Sequence, residues 1–285
     1  MEEQNIRPEQ NITSEQNTLE EIKSFPKIMG ILNITPDSFS DGGSYTNIDA
    51  AIKHALKMID DGVDIIDIGG ESTRPGANRL PAEEEIDRII PVVAKIHEIE
   101  PNIPISIDTT KSKVAEEALR VGASIINDVT GLTDDPALAE VCAKYDAELV
   151  VMHIKGEPRN MQEAPQYDDV VAEVFEFLQK QIKFAESKGV KKIYSDIGIG
   201  FGKTVDHNLE LLRNIDAFEK LGKPMLLGIS RKSFIGRILN IDRPSERDTA
   251  TALLHSLLLT KNIDIIRVHN VRLHSQLRDL FYELY

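Results

Sequence analysis

One cysteine, Cys142, stands among 285 residues, so no intrachain disulfide can form. It falls in a helix-like stretch, Pro136 to Lys144, where a buried small hydrophobe is the expected role and a nucleophile is not. No apolar run reaches the roughly 18–20 residues that a membrane span needs, so no membrane partner is expected. The N-terminal stretch MEEQNIRPEQNITSEQ is acidic and polar, the opposite of a secretory signal, and a cytoplasmic location follows as the expectation. The sequon-like Asn11-Ile12-Thr13 and Asn33-Ile34-Thr35 then carry little weight. Basic residues are in deficit, 33 against 47 acidic, for a formal net charge of −14. Nucleic acid is excluded as an expected partner, because phosphate neutralisation needs clustered Lys and Arg. Small anionic substrates are not excluded, since a few cations focused in one cleft can hold them.

Several kinds of catalytic apparatus are missing as well. There is no compact His/Asp/Glu cluster of zinc type. No Ser-His-Asp ordering or nucleophile elbow stands out. Gly202-Lys203-Thr204 resembles the end of a P-loop, but the Gly-x₄-Gly-Lys-[Ser/Thr] spacing fails.

What the chain does contain is a strict alternation. Eight short apolar runs predict strands: Lys27–Asn33, Asp64–Ile68, Pro104–Asp108, Ala123–Asn127, Glu148–Met152, Lys192–Asp196, Pro224–Gly228 and Ile263–Arg267. They are nearly continuous in Ile, Val, Leu and Met, as strands covered on both faces should be. Between them lie helix-period stretches such as Glu83 to Glu98 and Asp169 to Ser187. Gly62, Gly122, Gly189 and Gly222 follow helical runs and precede strands, where helices commonly stop, and Asn262 holds the same place before the last strand. No hairpin signal interrupts the pattern. The expected fold is α/β, a single (β/α)₈ TIM barrel over residues 26–285. Residues 1–25 form a polar N-terminal extension, disordered or loosely docked.

In such a barrel the C-terminal strand ends share one rim. Nearly every run here closes in polar residues. These are Asn33, Gly70-Glu71, Asp108, Asn127-Asp128, His153, Asp196, Ser230-Arg231-Lys232-Ser233, and Arg267 with His269. Core packing does not require that. Arg74, Lys203, Arg231, Lys232, Arg267 and His269 concentrate positive charge for a phosphorylated or carboxylated substrate. Asp108, Asn127 and Asp196 suit a flat heterocycle rich in N–H donors. Asn33 is a candidate ligand for Mg²⁺, which needs only one or two protein oxygens beside phosphate and water.

Plainer roles stand beside these. Asp108 and Asp196 could cap helices, and His269 could cap the last one. Lys203 is expected to be solvated. His153 fits a satisfied core histidine. Glu71 has a structural reading, and Glu83-Glu84-Glu85 reads as the negative first turn of a helix. His54, His97, His207, His255 and His274 lie away from the strand ends and are expected to be structural or exposed.

Three segments carry a resemblance. Met29 to Gly43 (MGILNITPDSFSDGG), Asp67 to Gly76 (DIGGESTRPG) and Gly228 to Ser233 (GISRKS) resemble signatures of the dihydropteroate synthases. Ser106-Ile107-Asp108-Thr109, Ile126-Asn127-Asp128-Val129, Met152-His153, Met161-Gln162 and Arg267-Val268-His269 continue it in order, from Lys27 to about Leu280. The resemblance implies a transferase of folate synthesis that joins a pterin-methyl diphosphate to p-aminobenzoate, an SN1-like, Mg²⁺-assisted substitution in a sulfonamide-target family. It implies that Asp108, Asn127, Asp196 and Lys232 hold the pterin, and that Thr73, Arg267 and His269 surround the diphosphate. Asn33 would bind Mg²⁺. Phe39, Arg74, Pro75, Phe201, Lys232 and Ser233 would border p-aminobenzoate, and Asp41 would face the carbocation. The catalytic set so implied is Asp41, Lys232, Arg267 and His269, in a homodimer. Ile197, Asn270 and Ala250 depart from the family's usual Pro, Asp and Gly. Two other functions compete: a pterin-binding paralogue without synthase activity, and a pterin-dependent methyltransferase domain.

Overall fold

The computed structural model describes residues 24–34, 44–72, 79–156, 161 and 164–285. Eight parallel strands alternate with helices. The strands are β1 (Lys27–Asn33), β2 (Ile65–Gly69), β3 (Ile105–Asp108), β4 (Ile125–Asp128), β5 (Glu148–Met152), β6 (Ile193–Asp196), β7 (Leu226–Leu227) and β8 (Ile265–Val268). Their order, β6-β5-β4-β3-β2-β1-β8-β7, makes a continuous parallel sheet. An isolated parallel bridge, Ser195 to Met225, joins β6 to the start of β7 and brings the sheet round into a barrel. The expected (β/α)₈ architecture is therefore the observed one.

The helices used below are α1 (Ser44–Asp60), α2 (Ala82–Ile99), α3 (Ser112–Arg120), α4 (Leu138–Lys144), α5 (Val170–Ser187), α6 (Val205–Arg213), α7 (Ser233–Leu239), α8 (Asp248–Leu257) and α9 (Val271–Leu284). Both α7 and α8 lie between β7 and β8. Cys142 is buried in α4. Burial pushes its thiol up to about 12, so it stays a protonated hydrophobe, as expected. Among the described residues no helix is long and apolar enough to cross a membrane.

Strand period two sorts the side chains. Ile28, Leu32, Ile66, Ile68, Ile107, Ile126, Leu149 and Val151 face outward into the large core shared with the helices. Met29, Ile65, Ile125, Val150, Leu226 and Ile265 face inward and form a separate apolar layer, with Tyr194 against it. Two residues further along those strands come Ile31, Asp67, Asn127, Met152, Gly228, Arg267 and Asp196, with Asp108 above Ser106 on β3. The apolar layer is thus the floor of the barrel, and the next inward layer, nearer the C-terminal rim, is mostly polar.

Helix ends follow the sequence with one exception. Gly62, Gly122, Gly189 and Gly222 all have positive φ. Asn262 does not belong with them, since it is absent from the left-handed non-glycine residues. Its turn is made differently: Ile263 N–H donates to Lys261 O across it, a tight three-residue bend that needs no left-handed residue. At the other end of the chain, Phe25 is buried with its ring 5.6 Å from that of Phe281 on α9. The rest of the expected extension, residues 1–23, lies outside the described residues.

Candidate active site

Strand geometry alone places Asp67, Asp108, Asn127, Asp196 and Arg267 in one layer, and their contacts knit it together. Arg267 donates from Nε to Asp67 at 2.6 Å and from Nη2 to Asp108 at 2.7 Å. Asn127 Nδ2 donates to the same Asp67 oxygen at 3.3 Å. One guanidinium therefore serves two buried carboxylates. Burial pushes Asp108 up to about 7 against the pull of Arg267, with Asp67, Glu85 and Asp128 pushing the same way. Burial opposes the charge on Arg267, but Asp67 and Asp108 outweigh it and hold its pKa above the ordinary value. Asp67 was not singled out from the sequence. A lone carboxylate inside the apolar run of β2 was the available signal, because a strand buried on both faces cannot leave it unpaired.

Asp196, at the end of β6, takes the Gly198 N–H at 2.8 Å. Burial raises its pKa, while Gly198 and Lys232 pull it down. Lys232 follows β7 and stands with Nζ 3.9 Å from the centre of the Phe201 ring. Burial lowers its ammonium to about 8, against the pull of Asp196. Phe201 packs with Val129, Met152 and Met161 in a small apolar cluster. The site thus joins a buried polar layer to an apolar shelf capped by a cation.

The capping alternatives fail. Lys111 occupies the N-cap of α3 and Thr204 that of α6, so neither Asp108 nor Asp196 caps a helix. His269 does not cap α9 either. That work falls to Asn270, whose Oδ1 accepts the Leu273 N–H at 3.1 Å while its Nδ2 donates to Asp248 at 3.2 Å. The departure from Asp at this position keeps the cap and gains a donor toward a carboxylate. His269 pairs with Ser230 instead. Ser230 Oγ accepts the His269 backbone N–H and lies 2.9 Å from Nδ1 of the ring, which fixes the ring's orientation whichever of the two gives the hydrogen. Burial, helped by Arg231 and Arg267, lowers this imidazole to about 3, so the ring is neutral.

The expected concentration of positive charge is corrected at two places. Arg231, at φ 59°, donates from Nε and Nη2 to Asp248 at 2.6 and 2.8 Å, so its charge is already matched. Lys203 is buried rather than solvated, with its ammonium turned into the protein against backbone carbonyls and His153. His153 is the satisfied core histidine that the sequence suggested. Glu71 has its structural role, bonded to Lys111. Glu85 is part of the acidic first turn of α2 but is buried and also bonded to Lys111, at 2.5 Å. His255 and His274 form a buried pair, Nδ1 to Nε2 at 2.9 Å.

Asn33 ends β1 in register with Gly69 of β2. A Cβ on Gly69 would stand 3.6 Å from Asn33 Oδ1 and 3.8 Å from Asp108 Oδ2, so the glycine leaves open the space between amide and carboxylate. Among the described residues no three His, Cys, Asp or Glu side chains gather as a metal cage. A single rim amide beside an open gap fits a hard cation that draws its other ligands from phosphate and water. Ser233 opens α7 and is exposed. Phe39, Asp41, Thr73, Arg74 and Pro75 lie outside the described residues.

A parallel barrel with acid, amide, guanidinium and ammonium groups converging under its C-terminal rim defines a barrel enzyme built for a polar heterocycle and an anionic group. The pterin binding enzyme family matches residues 29–269. The dihydropteroate synthase of Bacillus subtilis is 48% identical over 247 residues, 86% of this chain and 84% of that protein. The structure of the Clostridium difficile dihydropteroate synthase, obtained in the presence of pteroic acid, superposes with TM-score 0.85 at 44% identity, covering 93% of this chain and 98% of the other. That of Xanthomonas albilineans, with 4-aminobenzoic acid, gives TM-score 0.85 at 39% identity over 91% and 93%. The chain belongs to the pterin-binding enzymes and, within them, to the dihydropteroate synthases, which makes it a transferase.

Proposed function

We propose that this chain joins 6-hydroxymethyl-7,8-dihydropterin diphosphate to p-aminobenzoate, giving 7,8-dihydropteroate and diphosphate. The observation that carries the reading is the buried set Asp108, Asn127 and Asp196 beside Lys232, which stands over Phe201. Asp108 and Asp196 accept the pterin's N–H groups, Asn127 matches its mixed edge, and Lys232 donates to it. Phe201, Lys232 and Ser233, with Phe39, Arg74 and Pro75, border the arylamine. Arg267 and His269, with Thr73, face the departing diphosphate.

The C–O bond to diphosphate breaks as negative charge leaves and positive charge spreads over the pterin-methyl group. The arylamine nitrogen then bonds to that carbon and gives up a proton. The role the resemblance gives Asp41 is to stabilise the positive charge on the pterin-methyl group. Because Arg231 and Lys203 are committed elsewhere, little protein charge among the described residues is free to neutralise the diphosphate. Mg²⁺ held at Asn33 supplies that neutralisation when bound.

The assay is diphosphate release from the pterin diphosphate and p-aminobenzoate with Mg²⁺, run across pH. Asp108, at about 7, must lose its proton to accept from the pterin. Lys232, at about 8, must keep its own to donate. The expected kcat/KM for the pterin substrate rises through the first value and falls through the second. Binding of the pterin without diphosphate release would favour the inactive paralogue, and a flat profile would remove Asp108 and Lys232 from these roles.

We also read the chain as a cytoplasmic homodimer. Leu253 and Leu257 of α8 and Leu280 and Leu284 of α9 are exposed on adjacent helices, an apolar surface that a second copy would cover. Leu257→Glu should turn a dimer into a monomer in light scattering. A wild-type monomer at high concentration would refute this part.

A further inference from the structure

The connection from β6 to α6 alternates glycines with side chains. Gly198, Gly200 and Gly202 have φ of 65°, 83° and 63°. A Cβ on Gly198 would run into the carbonyl oxygen of His153, and one on Gly202 into that of Lys155. On Gly200 it would come within 2.9 Å of Lys232 Cδ. Between them Ile197 and Ile199 turn into the core, and Phe201 turns up beneath Lys232. So tightly bent a backbone cannot pair its carbonyls with a strand or helix. Buried carbonyls need donors all the same.

Gly198 O accepts the Phe201 N–H at 3.1 Å across the bend, and Lys203 adds a second donor there and a donor to Phe201 O. The Lys203 Nζ lies 2.9 Å from Gly198 O, 3.0 Å from Phe201 O and 2.9 Å from His153 Nδ1. Those three partners surround the head group: two carbonyls take its hydrogens and His153 Nδ1 is the third partner. Burial, then Lys203 itself, lowers His153 to about 2, which keeps the ring neutral. Burial lowers Lys203 as well, and a depressed lysine sometimes serves as a general base. This one is 2% exposed with its head group enclosed by those partners, so it has no access to a reacting atom. Two other contacts complete the frame: Asn208 Oδ1 accepts Gly200 N–H at 2.7 Å, and Tyr167 Oη donates to Gly202 O at 2.8 Å.

We propose that Lys203 is a positioning residue for the arylamine step. Its ammonium, backed by His153, clamps the Gly198 and Phe201 carbonyls and so sets the Phe201 ring against which Lys232 and the arylamine rest. The inference depends on the reading that Phe201 borders the arylamine. Asp196 stands on a strand and keeps its tie to Gly198 and the larger pull of Lys232, so the pterin contacts should depend on the clamp far less than the arylamine contacts do.

The test separates the two substrates. Lys203→Met and His153→Leu should raise the arylamine KM by about ten- to a hundredfold, as small misplacements of a binding group do. Pterin affinity, measured by calorimetry, should stay close to that of wild type. His153→Asn places an amide oxygen where Nδ1 was and should restore most of the arylamine KM. An unchanged arylamine KM, an equal loss of both substrates, or an asparagine as damaging as leucine would overturn the proposal. If Lys203→Met does not fold, the His153 pair decides. Failure of the synthase reading shows in the wild type, as pterin binding without diphosphate release, and it takes the arylamine role of the clamp with it. Failure of the clamp alone shows only in the variants.

Discussion

Lys232→Ala is expected to lower kcat/KM by about a hundred- to a thousandfold, with loss of affinity for both substrates. Two interactions vanish with the side chain. A charge-assisted hydrogen bond to a buried partner contributes roughly 1.5–3 kcal/mol. A desolvated ammonium over an aromatic ring contributes about 2 kcal/mol. Here the ammonium lies 3.9 Å from the Phe201 ring centre and close enough to Asp196 for its charge to be felt there. Removing it also leaves Asp196 with one cation fewer, which raises that carboxyl further and weakens its acceptance of a pterin N–H. Arginine should not rescue, because a planar guanidinium does not put a compact point charge over Phe201 and beside Asp196 as the ammonium does. Kinetics indistinguishable from wild type would end the double role given to this residue.

Arg267→Met should damage both the fold and the reaction. The guanidinium is the shared partner of Asp67, which is completely buried, and of Asp108. Taking one partner from a buried ion pair costs about 3–5 kcal/mol, since the remaining charge has nothing to face. For a chain of this size that is a fall in Tm of about 10 °C. The double variant Arg267→Met/Asp67→Asn removes one of the stranded charges and should regain much of the lost stability. It should not regain activity, because the diphosphate has still lost its arginine and Asp108 its counter-ion. Thermal melts and diphosphate release on the same samples separate the two effects. Equal recovery of both would mean that Arg267 matters only for the fold.

The barrel was legible because short, nearly continuous apolar runs alternate with period-3.6 stretches without interruption from Lys27 onward. Strand ends were also legible, since polar residues there break runs of Ile and Val. Three features were not. Asp67 lies within its run, not at the end, so a search of strand ends passes it by. Lys203 looked solvated because a lysine after a glycine-rich turn usually is. Only the fold shows that its hydrogens go to the Gly198 and Phe201 carbonyls. Arg231 looked like a phosphate ligand until Asp248, seventeen residues on, proved to be its partner. Linear sequence reports which charges are present. Which of them are already neutralised depends on contacts that only the folded chain supplies.

The joint between β6 and β7 has a consequence for how the molecule moves. Every other neighbouring pair of strands shares a ladder, whereas these two share the single bridge at Ser195 and Met225. Asp196 belongs to one side of that seam, and Lys232 follows the other. A heterocycle gripped by both would act as a rivet across the weakest line of the cylinder. Occupancy and mechanical rigidity would then be coupled: the empty barrel would open most readily along this seam, and its own substrate would hold the filled one shut.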